Sequence, residues 1–229
     1  MGDKKDAGKK VEPAGRHAPC NVCVNRTGHF PAENFTGVVL AGGNSSRMGT
    51  NKALIPFGRE KLLDRVVARM REVFARVILI SNENESGKYN YLGLPVIGDI
   101  YPGKGPLAGI HAALSAASTP YIFVVACDMP FIDPELAVYL ARQAPGYDVV
   151  VVRDGPYLEP LFAVYGKGCL EVIESILRNG LRAKVVDFFP AVRVKYIERG
   201  DLSHITDVDK VFININTLRD LEHAKLLLE

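Results

Sequence analysis

Glycines and cations follow the first apolar run of the chain in a pattern suited to phosphate binding. The run 37–40 reads as a short buried strand, and Gly42 and Gly43 directly after it permit a tight turn. Arg47 and Lys52 then supply two positive charges. A strand end, exposed backbone N–H groups and cations together can hold phosphate oxygens, so the segment predicts a phosphate-binding loop. Its spacing fits neither the P-loop nor the G-x-G-x-x-G pattern, and a plain loop with solvated charges is the alternative.

Two aspartates follow apolar runs further along the chain. Asp128 comes after the strongly apolar run 121–126, and Asp99 comes after the run 94–97. A carboxylate at such a place is costly unless it is paired or bound to a metal. Magnesium typically uses one or two carboxylates and completes its shell with phosphate oxygens and water, so Asp128 is a candidate ligand. The alternative is that Asp128 forms a turn before Pro130.

Two further segments carry residues suited to ligand contact. The glycines of Gly105–Gly109 allow the backbone to approach a planar ligand closely, and Pro106 fits the first turn of a helix. Asn214 and Asn216 share one face if their segment is extended, where their amides could read a polar heterocycle. The alternatives are a plain loop-to-helix junction and asparagines that cap the following helix, although Thr217 could cap it equally well.

Strands and helices must place these residues, and the apolar pattern predicts how. Apolar runs that read as strands alternate with stretches of helical spacing, which predicts a mainly parallel sheet with helices on both faces. Ligands bind such sheets beyond the carboxyl ends of the strands, where Gly42, Asp99 and Asp128 would meet. The predicted strands are 37–40, 77–80, 94–97, 121–126, 149–152, 161–165 and 192–196, and the predicted helices are 62–73, 106–117, 134–142, 170–177 and 218–228, with a polar loop over 81–88.

The first 34 residues differ from the rest, and we interpret them as a mobile, polar extension ahead of a single domain over residues 35–229. Within the extension Cys20 and Cys23 form a C-x-x-C pair between His17 and His29. Thiolates and imidazoles suit zinc, although a second pair at clear spacing is absent from the sequence. A zinc or redox site is therefore one hypothesis, and two free thiols are the other.

Composition limits the classes of protein to consider. The chain has 229 residues, of which 48% are hydrophobic and 24% are charged, which is typical of a globular protein. A formal net charge of +2 does not favour nucleic acid or an anionic membrane as a partner. The N-terminus has no apolar stretch of the signal-peptide kind, and four cysteines in this length do not make a disulfide framework. We therefore expect a cytoplasmic protein.

Taken together, these motifs closely resemble those of the molybdenum cofactor guanylyltransferases, a family of nucleotidyltransferases. The similarity runs from about Thr36 to the C-terminus. One departure is Leu218, which stands where the family usually has a proline. The matching segments are Leu40–Gly43, Arg47–Gly49 with Lys52, Asp99, Gly105–Gly109, Cys127–Pro130, Glu159–Phe162 and Asn214–Thr217.

The resemblance implies a single Rossmann-like nucleotidyltransferase domain that transfers GMP from GTP to molybdenum-molybdopterin with release of pyrophosphate. It implies Mg²⁺ as cofactor, held by Asp128, and catalytic roles for Lys52, Arg47 and Asp128. It places Asn214 and Asn216 on the pterin side, and it implies transient contacts with proteins that supply and accept the cofactor. The GTP-binding residues that it implies are Leu40, Ala41, Gly42, Gly43, Lys52, Asp99, Gly105, Pro106, Leu107 and Asp128.

Three other functions are compatible with parts of the pattern. The cytidylyltransferase that acts on the same cofactor typically has Ala-Ala-Gly at the opening, serine at the place of Gly109 and aspartates for the late asparagines. Leu40, Gly109, Asn214 and Asn216 therefore favour guanine. A sugar-phosphate nucleotidyltransferase would have different later motifs. A protein that only binds or delivers the molybdenum cofactor would have no need for both Lys52 and Asp128.

Overall fold

The structure is a computed structural model that describes residues 31–41, 52–81, 83–179 and 183–228 of the chain. The first strand is preceded by a single 3-10 turn, Ala32–Asn34, which a hydrogen bond from Asn34 N to Pro31 O closes. Among the described residues, no helix combines the length and the apolar character needed to cross a bilayer.

Seven strands form one sheet in the order β5-β4-β1-β6-β8-β7-β9, and β2 and β3 form a small hairpin beside it. Strand β8 is antiparallel to both β6 and β7, and the other neighbours in the sheet are parallel. The predicted mainly parallel sheet is thus confirmed. The strands are β1 Phe35–Leu40, β2 Pro56–Phe57, β3 Glu60–Lys61, β4 Val77–Ile80, β5 Val96–Ile97, β6 Tyr121–Ala126, β7 Val149–Asp154, β8 Tyr157–Gly166 and β9 Val194–Glu198.

Helices cover both faces of the sheet, and the strands supply a side chain to each face in turn. Val39 packs with helices α1 and α3 on one face, and its neighbour Val38 packs with α2 and α4 on the other. All six residues of β1 are buried, because both faces of this central strand are covered. The helices are α1 Leu62–Val73, α2 Pro106–Ala116, α3 Pro134–Arg142, α4 Leu170–Arg178, α5 Val208–Val211 and α6 Leu218–Leu226.

The segment predicted to be a polar loop over 81–88 differs from that prediction. A 3-10 helix, Glu83–Leu92, begins within it, and Tyr89 of that helix is completely buried in the core beside α1. Burial of this ring and the hydrogen bond that Tyr91 Oη donates to Asp64 hold the segment on the protein, an effect that the polar character of its neighbours hides in the sequence.

The register of the strands aligns the residues that end them. Leu40 lies level with Ile80 on one side and with Ala126 on the other, and Ile80 lies level with Ile97. The chain segments that follow β1, β4, β5 and β6 therefore leave the sheet together, beyond the carboxyl ends of these strands. We call this border of the sheet the carboxyl edge. Asp99 and Asp128 both follow within a few residues, so both carboxylates lie beyond the carboxyl ends of these strands.

Candidate active site

Lys52 is the point at which three distant segments meet at this edge. Its Nζ donates to Asn216 Oδ1 at 2.9 Å and lies 3.8 Å from Asp128 Oδ2. Ile215 N donates to the backbone oxygen of Asp128 at 2.9 Å, which fixes the segment of Asn216 against the end of β6. A 3-10 turn, Lys52–Leu54, presents the lysine, and the buried Ala53 anchors that turn in the core. The arrangement places a cation, a carboxylate and an amide in one partly exposed cluster.

Burial raises the pKa of the Asp128 carboxyl group, and the positive charge of Lys52 lowers it. The side chains of Lys52 and Asp128 are only 17% and 22% exposed. A half-buried carboxylate that a single cation compensates in part is a fitting ligand for a hard divalent ion.

A magnesium ion at this place would bind Asp128 without a large set of protein ligands. Within the described ranges no group of three or more His, Cys, Asp or Glu side chains is arranged to hold a metal. Magnesium in nucleotide enzymes usually has that kind of site, since the phosphates and water supply its other ligands. Asp128 therefore fits the role that the sequence predicts for it.

The late asparagines do not share one environment. Asn216 contacts Lys52, whereas Asn214 Nδ2 donates to Phe212 O at 3.1 Å and stays outside that contact. Neither side chain caps α6, because Thr217 Oγ1 accepts from Asp220 N, and Asp220 Oδ2 accepts from the backbone N–H groups of Asn216 and Thr217. This capping box starts the helix without the proline that Leu218 replaces.

A second group of predicted residues meets around Gly109 of α2. A Cβ atom built on Gly109 would lie 3.2 Å from Leu40 Cδ2, 3.3 Å from Ile80 Cγ2 and 3.7 Å from Asp99 Oδ1. Burial raises the pKa of the Asp99 carboxyl group. The structure thus brings Leu40, Asp99 and Gly109 together at the carboxyl end of β1, on the side of that strand where β4 and β5 lie.

The loop before α2 has the conformation that its glycines predict. Gly103 and Gly105 have φ angles of +77° and +78°, in the region that favours glycine. Pro106 is exposed at the first turn of α2, but the side chain of Leu107 is fully buried, so Leu107 could offer a ligand only its backbone atoms. Ala41 is buried too, and its N–H group already donates to Ile80 O. Its backbone oxygen is therefore the atom that it could offer to a ligand.

Several predictions lie outside the described residues. Gly42, Gly43 and Arg47 of the phosphate-binding loop are among them. So is the whole extension up to residue 30, with His17, Cys20, Cys23 and His29.

One feature close to Asp99 was not predicted from the sequence. Tyr101 Oη donates to Glu174 Oε1 at 3.0 Å and accepts from Arg178 Nε at 3.2 Å, and the ring of Tyr101 packs edge-on against His111. The contacts tie the segment between Asp99 and Gly105 to helix α4. The spacing of Glu174 and Arg178 at i and i+4 shows in the sequence, but their partner on another element does not.

Two grooves elsewhere are lined by other residues. One, of about 500 Å³, lies between α1, α3 and α5, and one of about 400 Å³ lies at the opposite edge of the sheet, near Thr36 and Val77. Neither contains a convergent set of the predicted residues. We place the candidate site at the carboxyl edge because Lys52, Asp99 and Asp128 all lie there.

Comparisons with known proteins show which family the chain resembles. Residues 37–190 match the model of the MobA-like NTP transferase domain. The chain is 50% identical over 194 residues to a probable molybdenum cofactor guanylyltransferase of Pelotomaculum thermopropionicum, which covers 85% of this chain and 93% of that protein. It is 39% identical over 192 residues to a protein of the same name from Carboxydothermus hydrogenoformans, covering 83% and 94%.

A solved structure is similar over the same region. The crystal structure of molybdopterin-guanine dinucleotide biosynthesis protein A from Archaeoglobus fulgidus superposes with a TM-score of 0.75 and 27% sequence identity. The match covers 84% of this chain and 98% of the other.

Proposed function

Because the chain belongs to the MobA-like NTP transferase family, we propose that it transfers GMP from GTP to molybdenum-molybdopterin. The products are molybdopterin guanine dinucleotide and pyrophosphate. The observation that carries the proposal is the cluster at the carboxyl edge, where Lys52 contacts Asn216 and lies 3.8 Å from Asp128.

The reaction needs alignment and charge compensation more than a protein nucleophile. An oxygen of the acceptor's phosphate attacks the α-phosphorus of GTP, and the bond from that phosphorus to the oxygen bridging to the β-phosphorus breaks. A phosphate monoester is already nucleophilic, so holding it in line is the main task of the protein. Lys52 would offset negative charge that shifts onto the leaving pyrophosphate. Asp128 would hold the magnesium ion, which supplies further charge neutralisation across the reacting phosphates.

The group around Gly109 is suited to the base and ribose. The carboxylate of Asp99 can accept hydrogen bonds from guanine or from ribose hydroxyl groups, and Leu40 offers an apolar edge for stacking. The backbone of Ala41, Gly105, Pro106 and Leu107 would line the same slot. Since Gly109 has no side chain, α2 can pack closely against Leu40 and Ile80 beside that slot.

The remaining assignments follow from the family. Gly42 and Gly43 would bind the triphosphate through backbone N–H groups, and Arg47 would add positive charge. Asn214 and Asn216 would face the acceptor. Proteins that supply molybdopterin and proteins that receive the product are expected partners, and the cytoplasm, where GTP is made and used, is the expected compartment.

The mass of the product decides the proposal. Purified full-length protein is incubated with Mg²⁺, molybdenum-molybdopterin and either GTP or CTP, and pyrophosphate release and the dinucleotide mass are measured. We expect the guanine dinucleotide and one pyrophosphate per transfer. A preference for CTP would assign the sister activity, and acceptor binding without pyrophosphate release would leave only a binding or delivery role. Transfer to sugar 1-phosphates instead would assign the protein to a different class of nucleotidyltransferase.

A further inference from the structure

Strand β8 carries a large bulge directly beside the candidate site. Val151 pairs with Ala163 and Arg153 pairs with Leu158, so Val152 alone lies opposite the four residues Glu159–Phe162. On the other side of β8, Phe162 still pairs with Val125 of β6. The bulged residues therefore run alongside the segment that begins with Cys127 and Asp128. Bulges beside functional sites commonly aim a side chain that a regular strand would point elsewhere.

The bulge is held from within the core. The hydroxyl of Tyr165, whose side chain is completely buried, donates to Pro160 O at 2.6 Å. Pro160 has no N–H group, so its place in a bulge leaves no ladder donor unsatisfied. The position of Glu159 is therefore set by the sheet and not by a free loop.

Glu159 presents a carboxylate with spare capacity to accept hydrogen bonds. It is half-buried, and within the described part of the chain its carboxylate accepts none of the observed side-chain or backbone hydrogen bonds. Burial raises the pKa of this carboxyl group, the charge of Arg199 lowers it, and that of Asp154 raises it again.

Arg199 is already occupied by other partners. Its guanidinium lies 3.6 Å from Asp154 and 2.5 Å from Asp209, and it stacks 5.3 Å from the centre of the Phe212 ring. Phe212 begins the segment that carries Asn214 and Asn216. Phe212 also packs against Phe162 of β8, with 5.4 Å between the ring centroids. In the order of the strands, β6 with Asp128 after its end separates β8 from β5, so Glu159 lies on the other side of Asp128 from Asp99, next to the segment proposed to face the acceptor.

The chemistry of the two heterocycles connects these carboxylates. Guanine and a pterin share a 2-amino-4-oxo pyrimidine edge, with a ring N–H beside an amino group. Two parallel N–H donors match the two oxygens of one carboxylate. Asp99 stands on the side proposed for guanine, and Glu159 stands on the other side of Asp128, where the acceptor is proposed to bind.

We propose that Glu159 recognises the amino and ring N–H groups of the pterin in the acceptor. The proposal rests on the function proposed above and assigns the acceptor side of the same site. It makes Glu159 a specificity-determining residue, with the β8 bulge and Tyr165 as its support.

Kinetics of Glu159→Gln test the proposal. Pyrophosphate release is measured with saturating GTP and Mg²⁺ and varied molybdopterin, alongside the Kd for GTP and the melting temperature. Glutamine replaces one acceptor oxygen by a donor, so the acceptor KM should rise about 10- to 100-fold, the range for losing a hydrogen bond to a charged group. The Kd for GTP and the melting temperature should stay unchanged. Glu159→Asp keeps the charge but withdraws it by one methylene, and it should raise the same KM by a smaller factor.

Glu198→Gln is the matched control. It removes one negative charge close by, from a side chain that is 45% exposed and pairs with Arg153. It should leave the acceptor KM as in the wild type. An unchanged acceptor KM in Glu159→Gln would overturn the proposal. So would a joint fall in melting temperature and GTP affinity in both Glu159 variants, since that would make Glu159 a structural partner of Arg199. If the wild type forms no guanine dinucleotide at all, the proposed function fails first, and the two failures are distinguishable.

Discussion

The ammonium group of Lys52 connects its own segment to two others. It donates to Asn216, which is 164 residues away in the sequence, and it stands beside Asp128. Sequence motifs identified Lys52 and Asp128 one by one, but a contact over this distance depends on the whole fold.

Removing the Lys52 ammonium should lower transfer without unfolding the protein. We expect Lys52→Ala to reduce kcat by about 10²-fold or more, the scale for loss of one electrostatic contact to a transition state. Pyrophosphate release in single-turnover experiments measures it. Lys225→Ala, on an exposed position of α6, is the control and should retain full activity. Normal transfer by folded Lys52→Ala would remove Lys52 from the mechanism.

A side chain at Gly109 should disturb the base side selectively. In Gly109→Ser the new Cβ would press on Leu40 and Ile80 at 3.2 and 3.3 Å, so those side chains must shift by a few tenths of an ångström beside the slot proposed for guanine. We expect the KM for GTP to rise about 10-fold, corresponding to a loss of about 1.4 kcal/mol of binding. Gly200→Ser is a matched control, because no atom lies within 4 Å of a Cβ there. Equal GTP kinetics in both variants would contradict the placement of the base.

At the scale of elements, helix α4 supports the base side from outside the site. Glu174 and Arg178 hold the hydroxyl of Tyr101, which lies between Asp99 and the glycines that precede α2. Secondary-structure patterns predict α2 and α4 separately, since each has its own apolar face. They do not reveal that one tyrosine links α4 to the loop before α2.

Loss of the Tyr101 hydroxyl should weaken GTP binding more than catalysis. Tyr101→Phe keeps the ring against His111 and removes two hydrogen bonds, so we expect the KM for GTP to rise about 3- to 10-fold with little change in kcat. Initial-rate kinetics with varied GTP measure both constants. Tyr147→Phe, at a partly exposed position that contacts Lys195 only through its ring, should match the wild type. A fall in kcat alone would mean that the network acts on the reacting phosphates instead.

For the whole molecule, the sequence predicts the parallel part of the sheet well because those strands are short, apolar and buried on both faces. The helices α1 and α3 and the strands β4 and β6 have the predicted bounds. The antiparallel direction of β8 and its bulge could not be predicted, since a period of two residues carries no information on strand direction or register. For that reason Glu159 was noticed only as part of a motif, and its position beside the site comes from the pairing of β6, β7 and β8.

The sequence predicts a polar extension over the first 34 residues, and the family match begins at residue 37. A chain that starts at Pro31 should therefore fold and transfer GMP at a rate within about twofold of the full chain, because a terminus ahead of the matched domain usually tolerates removal. Zinc bound per chain, measured for both forms under the same loading, tests Cys20 and Cys23 separately. Equal zinc content would remove the zinc hypothesis, whereas loss of transfer in the shortened chain would show that the extension takes part in the site or in folding.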